Sequence, residues 1–327
     1  MTVTTMGVAA VLAALVTATV HGPASAQEVV RVGNIKQVHF AAISYIKEIA
    51  PTCGIKVEER IFAKGLDVMQ AILAGELDVG SSASEAAISG RAGGAPIVVV
   101  AGTASGGARL VARPELGIKS IADLKGKRVG VTRGAIQEVL LMAELQKAGL
   151  SSATTAGKDV QLVLLGYVDL NQALLSKQID AMMQSEPQSS MAINKGYGVE
   201  VLKPYGTPIG VPIRTLVMTE ELYGKRRPVA EKFMRCFVEA TRSFIEDQGV
   251  AEKYVRDTLF KGQLTKDDFN DAMSNVAYAY DISAEHIQVT TDIMHKTGVG
   301  RMARPPLARD WVRLDLLQGA KKQLNIR

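Results

Sequence analysis

Leu66-Asp67-Val68-Met69-Gln70-Ala71-Ile72-Leu73, followed by Leu77-Asp78, returns 102 positions later as Val168-Asp169-Leu170-Asn171-Gln172-Ala173-Leu174-Leu175, followed by Ile179-Asp180. Arg31-Val32-Gly33 returns 97 positions on as Arg128-Val129-Gly130. Single matches arise by chance, but two ordered matches at nearly one offset point to an internal duplication. No other feature constrains the chain as strongly. It has to fold as two similar units, each made from the same succession of elements.

That succession alternates strand and helix. In the first unit, Val29–Ile35, Ile55–Phe62, Leu77–Gly80 and Pro96–Ala101 read as strands. Helical spacing covers Phe40–Ile49, Leu66–Ala74 and Ser84 to about Arg91. The second unit repeats the pattern. Its strands are Ala108–Arg113, Lys127–Val131, Val160–Leu165 and Ile179–Met183, and its helices are Ile136–Ala148, Leu170–Ser176 and Pro187–Asn194. Such alternation gives an α/β fold, each lobe a mixed, mainly parallel sheet flanked by helices. The glycine-rich run 102–107 marks the first crossing between lobes, and Tyr205–Ile213, with two prolines and two glycines, marks the second. Beyond it come a strand at Thr215–Met218 and helices at Pro228–Ile245, Ala251–Leu259, Thr265–Tyr278, Ala284–Thr297 and from Arg309. The expected organisation is therefore 1–26 as a leader, 27–104 as the first part of lobe 1, 105–210 as lobe 2, and 211–327 as the return strand and C-terminal helices of lobe 1.

The first 26 residues contain no Asp, Glu, Lys or Arg, run apolar from Met6 to Val20, and end Ala24-Ser25-Ala26. This reads as a secretory signal cleaved after Ala26, although its n-region lacks a basic side chain. The small residues are followed by no cysteine for a lipid anchor. A net charge of +5, with no basic cluster interleaved with aromatics, argues against a nucleic-acid partner. Cys53 and Cys236 either form one disulfide in an exported chain or sit as two separate buried thiols.

In open α/β sheets ligands lie beyond the carboxyl ends of strands, where helices begin. The junctions are Lys36-Gln37-Val38-His39, Ser81-Ser82-Ala83-Ser84-Glu85, Thr132-Arg133-Gly134-Ala135 and Gln184-Ser185-Glu186-Pro187, two from each lobe. Each has a bland alternative. Ser84 caps a helix or touches a ligand. Arg133 grips a carboxylate, sulfonate or phosphate with two N–H groups, or is a solvated surface arginine. Glu186 receives a ligand amine, or complements the dipole of the helix after it. His39 donates to a ligand or is an ordinary loop histidine. Met182-Met183 reads as core. No G-x-S-x-G, H-E-x-x-H or P-loop occurs, and His286 and His295 are nine apart, so the chain is not read as an enzyme and no metal or cofactor is expected.

The stretches AILAGELDVGSSASEAA, IKSIADLKGKRVGV and SKQIDAMMQSEPQSSMA closely resemble periplasmic substrate-binding proteins of ABC importers, in the NMT1/SsuA-like group that serves sulfonates, taurine, nitrate and thiamine-pyrimidine precursors. The resemblance covers about Val29 to Ala240. It implies a two-lobed type II periplasmic binding protein fold with the ligand in the interlobe cleft, and capture of a small solute for delivery to a permease in the inner membrane by a monomeric periplasmic protein. The matching cleft residues are Lys36, Gln37, His39, Phe40, Ser82, Ala83, Ser84, Arg133, Gly134, Ala135, Ser185 and Glu186. The helix-start serines usual in the group are Ala135 and Ile136 here, and Phe40 is the lone aromatic in the matching loops. Arg109, Arg133, Arg214 and Lys36 either reach such a cleft, where they would favour an organic anion, or lie at the surface; Arg214 counts among the expected ligand residues. Two other readings compete: an enzyme of pyrimidine-synthase or transferase type on the same fold, or a ligand-sensing partner of a membrane receptor. The first needs a catalytic or cofactor-bearing group in the cleft; the cysteine-rich motif of the pyrimidine synthases is absent.

Overall fold

The structure, a computed structural model, describes residues 1–2 and 27–326; the expected leader lies outside these residues. Two six-stranded sheets organise the chain. The first takes β1 (Glu28–Ile35), β2 (Ile55–Phe62), β3 (Val79–Ala83) and β4 (Ile97–Gly106), then receives β11 (Ile213–Thr219) and β12 (Val276–Tyr278), in the order β12-β4-β11-β3-β1-β2. The second is made of β5 (Ala108–Ala112), β6 (Arg128–Val131), β7 (Ser152–Ala153), β8 (Val160–Leu164), β9 (Ala181–Ser185) and β10 (Val199–Leu202), in the order β10-β5-β9-β6-β8-β7. In both, a parallel half meets an antiparallel half: β3 is parallel to β1 and antiparallel to β11, and β9 is parallel to β6 and antiparallel to β5. Helices α1 (Ala41–Ile49), α2 (Gly65–Leu73) and α3 (Ser84–Ala92) accompany the first sheet; α4 (Ile136–Lys147), α5 (Tyr167–Leu175) and α6 (Gln188–Asn194) accompany the second. The C-terminal helices α7 (Arg227–Glu246), α8 (Gln248–Lys253), α9 (Lys266–Met273), α10 (Ala284–Thr297) and α11 (Asp315–Gln323) follow β11; α7 packs against α1 and α11, whereas α9 lies against α6 and α10 against both α3 and α4.

The repeated sequence turns out to encode a repeated clamp. Asp78 accepts the Arg31 backbone N–H at 2.8 Å and the Arg31 guanidinium through Nε and Nη2 at 3.0 and 2.9 Å. Asp180 takes Arg128 in the same way, at 2.8, 3.2 and 2.9 Å. A fork-on-carboxylate pair of this kind fixes geometry as well as charge, here the start of one strand against the turn that precedes its neighbour. The duplicated glycines have a matching reason. A Cβ on Gly33 would stand 2.5 Å from Leu77 Cδ1, and one on Gly130 would stand 2.6 Å from Ile179 Cδ1, so only a bare backbone lets those side chains lie across the strand.

Several elements differ from their sequence reading. Leu77 and Ile179 pack beneath the preceding strand, so β3 and β9 start later than expected and carry Ser81–Ala83 and Gln184–Ser185 inside the sheet. The expected helix Thr265–Tyr278 begins with a capping box at Thr265 but ends at Met273. Val276–Tyr278 then pairs with the otherwise free edge of β4, and the tertiary pairing overrides a local helical spacing. Nor does the last helix start at Arg309. A 3-10 turn covers Ala308–Asp310, Trp311 is fully buried and Val312 bridges Val99, so the helix starts only at Asp315. The strand β10 carried no sequence signal that we used.

The first crossing is Gly106-Gly107, both at positive φ (80° and 79°). A Cβ on Gly106 would lie 2.1 Å from the Asn275 carbonyl oxygen. The return crossing occupies residues 203–212, between β10 and β11. Cys53 and Cys236 form a disulfide between the turn after α1 and the middle of α7, with Cα atoms 6.0 Å apart, which settles the choice the sequence left open. No helix among the described residues is long and apolar enough to cross a membrane.

Candidate functional site

Where the lobes meet, a small chamber of about 10 Å³ is walled by both: Gln37, His39, Phe40, Ala83 and Glu85 from the first, Ile136, Gln137 and Tyr167 from the second. Arg214, on the return strand β11, closes it from behind. That volume is about the room of one water molecule. A wider vestibule of about 530 Å³ shares Gln37 and Tyr167 with the chamber and opens outward between Lys36, Phe62, Met191, Lys195, Tyr197 and Phe260. Tyr167 donates its hydroxyl to Gln137 Oε1 at 2.8 Å, and this pair stands between the two spaces.

Arg214 is the dominant charge. It is 1 % exposed, and its Nη2 donates to the carbonyls of Gly106 at 3.0 Å and Gly107 at 3.4 Å, which ties it to the interlobe crossing. Its Nε and Nη1 are buried without a hydrogen-bond partner among the described residues. Guanidinium nitrogens buried without a partner are costly, and an acceptor such as water or an anion satisfies them. Burial lowers the Arg214 proton affinity, while Glu85, Tyr167 and Tyr205 oppose the change. His39 is also buried, its Nδ1 lacking a partner. Burial, helped by the Arg214 charge, holds its pKa well below the ordinary histidine value, so the imidazole is neutral. A Cβ on Gly107 would sit 3.0 Å from His39 Nδ1 and 3.4 Å from Arg214 Nη2, so the crossing glycine borders the site itself.

Glu85 faces this pair from the first turn of α3. It is 3 % exposed, and its Oε2 has no partner among the described residues. Burial pushes the carboxyl up to about 7; the Arg214 charge and the backbone N–H groups of Glu85, Ile136 and Ala86 pull the other way. A first-lobe carboxyl thus stands toward the amino end of α4 in the second lobe, where the dipole favours negative charge.

The structure distributes the sequence-predicted residues unevenly. Gln37, His39, Phe40, Ala83 and Arg214 line the chamber, while Lys36 lines the vestibule with its Nζ 5.0 Å from the centre of the Phe260 ring. Ser84 neither caps α3, whose N-cap is Ala83, nor finds any other partner among the described residues. Ser82 turns into the sheet, 3.3 Å from the Thr215 hydroxyl, and Ser185 donates to the Gly107 carbonyl at 3.4 Å. Ala135 is the buried N-cap of α4. Arg133 is exposed and, with Gly134, borders a separate hollow that also includes Leu66, Glu138, Val299 and Arg301. Glu186 is the clearest departure from expectation. It is wholly buried and held inside the protein: Oε1 lies 2.7 Å from Arg109 Nε and accepts from Asn275 at 3.2 Å, and Oε2 accepts from Ser190 N and Oγ at 3.2 and 2.7 Å. Arg109 reaches on to Asp271 at 2.8 Å and Glu200 at 3.2 Å. Both residues belong to an ion network that joins β5 to α9, and neither lines the chamber.

Reading the sequence passed over Gln137 and Tyr167, and named Glu85 only as part of its junction. Glu85 in a first helical turn looks like an ordinary dipole partner, and Tyr167 precedes the apolar spacing that marked α5. A buried glutamine at Gln137 leaves no trace in a periodicity.

Two lobes of one topology, crossed twice, with a polar chamber between them: this is the two-lobed type II periplasmic binding protein fold. Solved structures agree. The alkanesulfonate-binding protein SsuA of Xanthomonas axonopodis pv. citri bound to MOPS superposes with a TM-score of 0.73 at 18% identity, covering 88% of this chain and 98% of that one. The nitrate-binding protein NrtA of Synechocystis PCC 6803 gives 0.76 at 15% identity, covering 91% and 89%. The chain belongs to the NMT1/THI5-like family, whose model matches residues 52–251. A protein of Brucella abortus (strain 2308) named as a binding protein is 35% identical over 155 residues, 46% of each chain. A protein of Escherichia coli (strain K12) named as an aliphatic sulfonates-binding protein is 32% identical over 174 residues, 52% of this chain and 50% of that one. These alignments span about half the length of the curated relatives. The relatives also include a protein of Haemophilus influenzae named for thiamine biosynthesis, 35% identical over 95 residues.

Proposed function

We propose that this protein is the solute-binding component of an ABC-type importer and captures a small organic anion between the lobes, one anionic oxygen in the chamber and the body of the solute in the vestibule. The observation that carries this is Arg214: a fully buried guanidinium that lines a chamber enclosed by both lobes, anchored to the crossing by one nitrogen, with the other two lacking any partner among the described residues. An anion there touches both lobes at once, so its binding energy favours the form in which they are apposed. The vestibule, lined by apolar and amide side chains together with Lys36 and Lys195, accommodates the body of such a solute. Delivery to a membrane permease follows from the family reading. Residence in the periplasm is supported by the Cys53–Cys236 disulfide, which suits an oxidising compartment, and by the leader read at residues 1–26.

Thermal melting against sulfonates, nitrate, carboxylates and pyrimidines tests the proposal. A solute at 100 times its dissociation constant adds about 2.7 kcal/mol of stability. The stabilisation is expected with one anion class, to be lost in Arg214→Gln and kept in Arg133→Ala. A response to a neutral pyrimidine alone, or to an anion equally well without Arg214, refutes the assignment.

A further inference from the structure

We propose that Glu85 is a proton-carrying member of the ligand site: a solute anion held by Arg214 is captured together with one proton, which Glu85 keeps and donates to that anion. This rests on the anion-capture reading above. The geometry leads there directly. Glu85 and Arg214 line one chamber with room for about one water molecule, and Arg214 gives its Nη2 to the Gly106 and Gly107 carbonyls rather than to Glu85. Any anionic group that meets the free Nε and Nη1 of Arg214 therefore comes close to the Glu85 carboxyl, whose Oε2 has no partner. One guanidinium cannot neutralise two carboxylate-like charges in a dry space, and of two acidic groups placed so, one takes a proton. A buried carboxyl that stays neutral becomes a hydrogen-bond donor to the anion beside it.

The surroundings leave Glu85 as the group that takes the proton. From the turn Val38–Phe40 comes His39, held neutral by burial and by Arg214. From α5 comes Tyr167, whose hydroxyl is pushed upward by burial and by Glu85 and so keeps its proton. From α10 comes His286, lowered by burial, with its Nε2 accepting the Ile213 N–H. From α4 come backbone N–H groups that do not titrate. Glu85 itself is already raised to about 7 before any anion arrives. Above that pH the balance is one anion and one proton from solution in, and a neutral Glu85 beside the bound anion out.

Calorimetric titration of wild type with ethanesulfonate, nitrate and acetate in turn, at about pH 8 in two buffers of unlike ionisation enthalpy, measures the protons taken up. For the anion that binds, about one proton per anion is expected, with affinity falling about tenfold per pH unit above 7. Glu85→Gln should abolish the uptake and flatten the pH dependence of the affinity that remains, and Arg133→Ala, outside the chamber, should keep both. Binding by wild type without proton uptake, or uptake that persists in Glu85→Gln, overturns this proposal and leaves anion capture standing. If none of the three anions nor any other on the melting panel binds, anion capture fails and this proposal falls with it.

Discussion

Replacing Arg109 by methionine separates the two meanings of Glu186. The Glu186 carboxylate is wholly buried, and without the guanidinium 2.7 Å away it keeps only neutral partners, Asn275 and the backbone and hydroxyl of Ser190. Asp271 and Glu200, the other two acids on Arg109, are about one-third exposed and can turn to water. The penalty therefore falls on Glu186, and breaking one side of a buried pair costs about 3–5 kcal/mol. For a protein of this size that lowers Tm by roughly 8 °C, read by calorimetry without solute. Arg109→Met combined with Glu186→Met, which removes both charges and refills the volume, should recover most of the loss. Glu186→Gln alone should cost about 1–3 kcal/mol and leave anion affinity within about threefold. The reasoning is refuted if the double variant melts as low as Arg109→Met. It is refuted equally if Glu186→Gln keeps the wild-type Tm and loses the solute, which would return Glu186 to the ligand site.

Gly106→Ala should destabilise by more than about 3 kcal/mol or fail to fold, because its Cβ would meet the Asn275 carbonyl at 2.1 Å; Gly117→Ala, at a similar positive φ with nothing within 4 Å, should cost only about 1 kcal/mol, both read by thermal melting. Gly33→Ala and Gly130→Ala, equivalent by duplication, should each cost about 1–3 kcal/mol by overpacking, and unequal losses would mean that the two lobes do not share the packing they share in sequence. Glu85, with a folded pKa of about 7 against an ordinary 4.5, holds its proton more tightly folded than unfolded. Its contribution is fully present below about pH 4.5 and is lost as pH rises to 7; beyond that the buried charge costs about 3 kcal/mol. Glu85→Gln should therefore raise Tm by several degrees at about pH 8 and by almost nothing at pH 4, and equal shifts at both would show that the gain is not electrostatic.

Fold was more legible than site, for a physical reason. Strand and helix periods are local, and the duplication tested each reading against its copy, so most elements of both sheets fall within a few residues of their sequence positions. Val276–Tyr278 shows the limit: nothing in those three residues says that the edge of β4 needs a partner. The site depends on side-chain direction across lobes. Arg133 and Arg214 look alike in a sequence, yet one follows a strand at the surface and the other lies within β11 behind the chamber. Glu186 carries the right chemistry for a ligand, and Arg109, 77 positions away, had already claimed it.

The link between Cys53 and Cys236 closes a covalent ring from which two tails emerge, one carrying β1 and α1 and the other the end of α7, the helices that follow and β12. Both crossings and the whole of the second lobe lie inside that ring. A protease that nicks one exposed loop there, such as 154–158, opens the ring but releases nothing: the nick adds one water to the mass, and the two fragments part only after reduction. The tails also stay gathered at the meeting of α1 and α7 whatever the second lobe does. The first lobe is thereby linked to itself on either side of the second, which stands as an insert within the ring.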